Sequence, residues 1–112
     1  MIDRVLARER RAAEMHVAGN AWYSPETGRL RLQLGADRPL PPALTVRFVH
    51  ATRAGMDQSA AVRLVAPGVY EGSLHLAEGK RWQVTVETAE WRVAGNWDRN
   101  GAIALDSAAP RL

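Results

Sequence analysis

The sequence predicts an all-β fold: a small antiparallel, immunoglobulin-like β-sandwich of about seven strands behind an N-terminal helix. Three observations carry this. Apolar residues recur at every second position through most of the chain. Turn-forming residues punctuate those runs at short intervals. Helical spacing is confined to the start.

The first element is that helix. Ile2, Val5, Leu6 and Ala13 fall near one face, Arg4, Arg8, Arg10 and Arg11 lie mostly elsewhere, and no Gly or Pro interrupts them. Asp3 and Glu9 early and Arg10 and Arg11 later suit the helix dipole, and Gly19-Asn20 reads as its terminator. Residues 1–18 are therefore assigned to a helical segment and 19–112 to the sandwich. The alternating runs then follow in order: Leu30, Leu32 and Leu34; Leu44, Val46 and Phe48; Val62 and Leu64; Tyr70, Gly72, Leu74 and Leu76; Trp82, Val84 and Val86; Trp91 and Val93; and a short run at Ile103 and Leu105. Each puts one face in a core and the other in water. Between them lie Ser24-Pro25-Glu26-Thr27-Gly28, Asp37-Arg38-Pro39-Leu40-Pro41-Pro42, Ala54-Gly55-Met56-Asp57, Pro67-Gly68 and Glu78-Gly79-Lys80. Pro67-Gly68 and Asn100-Gly101 read as hairpin turns.

Composition removes several classes of function. With Cys 0, the chain has no disulfide framework, no thiolate metal site and no cysteine nucleophile. It contains no apolar run long enough to span a bilayer. The formal charge is only +3, although pI is near 10.2, because the basic set is arginine apart from Lys80. Those arginines are spread singly along the strands rather than clustered, so no nucleic-acid partner is expected.

Candidate chemistry is sparse. The histidines are His16, His50 and His75. His75 is on the polar phase of its run and reads as a solvated side chain, and His16 as helix-end polarity. His50 continues the inward phase of Leu44, Val46 and Phe48 where the chain leaves the sheet, and reads as a half-buried imidazole paired to a loop. A soft metal such as monovalent copper has Met15, His16, His50 and Met56 as its candidate ligands, without a spacing that fixes geometry. The acids Asp57, Glu71, Glu87, Glu90, Asp98 and Asp106 are scattered, with no acid and base in contrasting environments. The sequence therefore suggests no enzyme and no cofactor. Trp22, Tyr23, Tyr70, Trp82, Trp91 and Trp97 read mainly as core filling. Trp97, beside Asp98-Arg99-Asn100-Gly101, is the one expected to be least buried. Exposed aromatic residues leave a carbohydrate- or peptide-binding sandwich as an alternative.

The order His50-Ala51-Thr52, Asp57, Pro67-Gly68-Val69-Tyr70-Glu71-Gly72, then Leu74, Leu76, Gly79 and Trp82, with a strand at Trp91-Arg92-Val93, resembles the FixH (also CcoH) family. The polar opening after Ile2-Asp3-Arg4, leading to Ala21-Trp22, is similar to that family's post-anchor segment. Two features depart from the pattern: Ala51 stands where Pro is usual, and the Gly79-to-Trp82 spacing is longer by one. The resemblance implies a non-catalytic, membrane-tethered domain at the periplasmic face of the inner membrane. It would act in maturation of a cbb-type cytochrome oxidase together with a copper-transporting ATPase and an iron–sulfur membrane protein. The family's anchor is absent from this chain, which is expected to be the soluble portion of an anchored protein. Expected partners are membrane proteins of an oxidase-assembly or cation-pump complex, met through a sheet face or edge, and a homodimer is left open. The loops carrying His50 and Asp57, and Trp97, Asp98 and Arg99, are the expected contact segments. The alternative reading is a periplasmic copper chaperone using the His and Met ligands named above.

Overall fold

The structure, a computed structural model, describes residues 4–50, 57–76, 82–97 and 102–106. Helix α1 (Arg4–Glu14) is followed by strands β1 (Ala18–Ser24), β2 (Arg29–Gly35), β3 (Ala43–His50), β4 (Gln58–Ala66), β5 (Val69–Ser73), β6 (Trp82–Glu87), β7 (Arg92–Trp97) and β8 (Ile103–Leu105). All strand pairs are antiparallel, in one 8-stranded sheet ordered β7-β6-β3-β4-β5-β2-β1-β8. The all-β fold is as expected.

The two packed layers of the expected sandwich are continuous. The terminal strands β7 and β8 meet at Ala94 and Asp106, which exchange backbone hydrogen bonds of 2.9 and 3.2 Å. The sheet thus curls over and nearly closes on itself. A Cβ added at Gly95 would collide with the Ala104 carbonyl oxygen, so glycine lets β8 come this close. Closure leaves no long free edge among the described residues, which directs outside contacts to the sheet faces and the loops.

One core fills the interior. Leu30, Leu32, Leu34, Leu44, Val46, Phe48, Val62, Tyr70, Trp82, Val84, Val86, Trp91, Val93, Ile103 and Leu105 are all buried, as the alternation requires. Leu64 departs from it. The β4–β5 ladder shifts register between Leu64 and Ala66, and Leu64 is 40% exposed at the end of the barrel. The run from Tyr70 is also shorter than expected: β5 ends at Ser73, and Leu74 and Leu76 leave the ladder half-buried. Their amides bond instead to the Gly28 carbonyl and the Tyr23 hydroxyl.

The strand that alternation missed is β1. Its sequence, Ala18-Gly19-Asn20-Ala21-Trp22-Tyr23-Ser24, is poor in strand formers, and Gly19-Asn20 is not a helix terminator but strand interior. Gly19 passes so close to the Gln33 carbonyl that no Cβ would fit. The helix ends earlier, at Glu14, and His16, with a φ of 54°, reverses the chain in the left-handed region. Its inward residues are Glu9 and Ala12, with Met15 buried just past its end, while the expected Ala13 is exposed. The side chains of Ile2, Val5 and Leu6 lie outside the described residues. The helix crosses the outer face of β6 and β7, where Arg8 meets Glu87 at 3.2 Å, Arg92 meets Glu9 at 3.9 Å, and the outward-phased Thr85 is buried.

Candidate functional site: the His50 end of the barrel

The antiparallel registers sort every strand terminus onto one of two ends. At one end β1, β3, β5 and β7 finish at Ser24, His50, Ser73 and Trp97, and β2, β4, β6 and β8 begin at Arg29, Gln58, Trp82 and Ile103. The connections 51–57, 74–81 and 98–102 therefore leave from this end, with the 25–28 turn beside them. The opposite end carries the 36–42 and 67–68 connections, the β6–β7 turn and the C-terminus of α1. The fold thus brings His50, Asp57 and Trp97 to a common end, although more than forty positions separate the first from the last in sequence.

An aromatic floor underlies this end. Tyr23 packs edge-on to Trp97 at 5.1 Å and lies 5.5 Å from Phe48. Phe48 contacts both Trp97 and Trp82 edge-on, at 6.3 and 6.5 Å. His50 and Trp82, paired across the β3–β6 ladder, stack edge-to-face at 5.0 Å. Each such pair contributes about 0.5–1.5 kcal/mol beyond area burial. The Tyr23 hydroxyl donates to the Leu74 carbonyl and accepts from the Leu76 amide, so it holds the start of the 74–81 connection against the floor. Gln58 Nε2 donates to the His75 carbonyl at 2.8 Å, tying β4 to the same segment. Gly28, at φ 73°, lies under the His75 ring, where a Cβ would clash with the imidazole. These bonds fix the loop bases on a rigid platform.

Trp97 does not have the exposure the sequence suggested. It is 3% exposed, because β7 ends on its inward phase over Tyr23 and Phe48. It supplies floor, not contact surface. The exposed tryptophan is Trp22, 41% exposed on the outer phase of β1. Asp57 is exposed, with its carboxylate 3.7 Å from Arg47 on the outer face of β3. Asp98, Arg99 and Met56 lie outside the described residues, as does the Asn100-Gly101 turn.

The proposed copper ligands are divided. Met15 is buried under the C-terminus of α1, and His16 beside it is exposed and paired to Asp37. Both are at the end opposite His50, the length of β3 away, roughly 25 Å at about 3.3 Å per residue. One ion cannot be held from both ends. Among the described residues, no group of three or more His, Cys, Asp or Glu side chains is placed to hold a metal.

The remaining perturbed group is Tyr70, fully buried in the core with its hydroxyl donating to the Pro41 carbonyl. Burial pushes its phenol above the ordinary value of 10.0. The hydrogen bond ties β5 to the 36–42 connection and is structural.

Sequence reasoning could place the loops but not gather them, since strand order is not visible in alternation. A family model described as FixH matches residues 1–98. No curated protein and no solved structure matches the chain.

Proposed function

The chain belongs to the FixH family, and on that premise we propose that it is a non-catalytic protein-interaction domain that docks through the loops at the His50 end. The proposed setting is the periplasmic face of the inner membrane. There the domain would serve maturation of a cbb-type cytochrome oxidase together with a copper-transporting ATPase. The single observation that carries the reading is the family match across the helix and seven of the eight strands, β1–β7.

The geometry supports it in a specific way. Curling of the sheet leaves no long free edge among the described residues, which favours a partner met by a face or by loops. The strand ends from which the His50-end loops depart are fixed by a floor of packed rings, and anchor points fixed before binding lower its conformational cost. Loops on a rigid scaffold are where such domains carry recognition.

The test reverses charge at residues predicted to face the partner and not to hold the fold, with Asp98→Lys combined with Arg99→Glu. The reading predicts loss of copper-ATPase pull-down and reduced assembled oxidase at unchanged level of the protein itself. Unchanged pull-down and unchanged oxidase would remove the assignment.

A further inference from the structure

The β4–β5 hairpin, at the end opposite His50, shows an exposed apolar surface that the docking role of the His50 loops leaves unused. Leu64 and Val65 are 40% and 55% exposed, and Ala66 and Pro67 are exposed after them. The register shift between Leu64 and Ala66 makes Val65 the extra residue of the ladder and leaves it outside the pairing. Beside the tip, Leu34, Leu40, Leu64 and Pro67 line a shallow opening of about 370 Å³, with Arg38 at its rim. Arg63 precedes the tip on the outer face, in a row with Glu71 and Arg31 across the adjoining strands, two cations to one anion. Among the described residues, Arg31, Arg38 and Arg63 make no side-chain hydrogen bond or ion pair.

We propose that this hairpin tip inserts into the interface of an anionic lipid bilayer, with Leu64 and Val65 entering the headgroup–acyl boundary and Arg38 and Arg63 pairing with lipid phosphates. The argument is charge complementarity around an apolar point. An uncharged tip with a collar of unpaired guanidinium groups gains from apolar burial and from anionic headgroups together. The inference stands on this surface alone and does not depend on the docking role proposed for the His50 loops.

The chain has Cys 0, so a single introduced cysteine can be labelled without background. Val65→Cys and, at the opposite end, Glu26→Cys would each carry a polarity-sensitive fluorophore, with folding checked by circular dichroism. The labels are read against vesicles of phosphatidylcholine alone and of phosphatidylcholine with phosphatidylglycerol. The expected result is a blue shift at position 65 with the anionic vesicles only, none at position 26, and attenuation by salt. In the same titration Arg38→Ala and Arg63→Ala should each weaken vesicle binding about fivefold, equivalent to about 1 kcal/mol per arginine near a charged surface. The proposal is overturned by no shift at position 65, by an equal shift at position 26, or by an equal shift with phosphatidylcholine alone. It is also overturned by a shift without vesicles that grows with protein concentration, which would make the tip a contact between copies.

Discussion

Replacing Trp97 by alanine tests the aromatic floor beneath the loops. The indole is 3% exposed, edge-on to Tyr23 and to Phe48. Truncating a buried ring of this kind costs about 3–5 kcal/mol from lost transfer energy and the cavity left behind. Two lost aromatic pairs, at about 0.5–1.5 kcal/mol each, fall within that figure. A domain of this size has about 5–15 kcal/mol in total, so the variant should keep its fold but lose much of its margin. With a urea m-value of about 1.5 kcal/mol per molar, the midpoint should fall by roughly 2–3 M. Trp22→Ala, at a side chain 41% exposed on the outer face, should move the midpoint by no more than about 0.5 M. Urea unfolding followed by far-ultraviolet circular dichroism reads both without relying on the removed fluorophore. If Trp97→Ala costs under about 1 kcal/mol, or Trp22→Ala costs as much as Trp97→Ala, the assignment of inside and outside tryptophans is refuted.

Gly95→Ala should destabilise by about 2 kcal/mol or more, because the added methyl meets the Ala104 carbonyl and forces β8 away; faster amide exchange at Ala94 and Asp106 would show the seam opening first, and unchanged exchange would contradict closure there. Tyr70 has its folded-state pKa raised above the unfolded 10.0 by burial. Its contribution is therefore complete below pH 10 and is lost as pH rises through the folded value. Thermal unfolding above pH 10 should show a steeper fall for the parent than for Tyr70→Phe, which also lacks the bond to Pro41 and starts about 1 kcal/mol lower. Arg8→Ala removes the ion pair to Glu87 and the bond to the Thr88 carbonyl from a partly exposed side chain. It should cost about 1 kcal/mol or less, with the difference narrowing as salt is raised in urea titrations.

Much of this fold could be read from the pattern of residues, and the misses have physical causes. Leu30 to Leu34, Leu44 to Phe48 and Trp82 to Val86 point inward as alternation demands, because one face of each strand must be dry. β1 is invisible to alternation because Gly19 serves close strand approach and neither it nor Asn20 is a strand former. Leu64 misled because a bulge at the barrel rim overrides the two-residue period. The polar residues after Trp97 suggest exposure, whereas its neighbours across the interior, Tyr23 and Phe48, decide its burial. The candidate site is legible as separate segments around His50 and Trp97. Their convergence depends on the order β7-β6-β3-β4-β5-β2-β1-β8, which rests on long-range pairing that no local pattern records. The same order separates Met15 and His16 from His50, a division equally invisible in sequence.

The docking end can be located most directly by site-specific photo-cross-linking in cells, with the cross-linker placed at Asp57 beside the His50 loops or at Glu90, exposed in the β6–β7 turn at the other end. The account predicts adducts with the copper-transporting ATPase or oxidase subunits from position 57 and none from position 90. Adducts from position 90 alone, or from neither position while oxidase assembly still requires the protein, would contradict it.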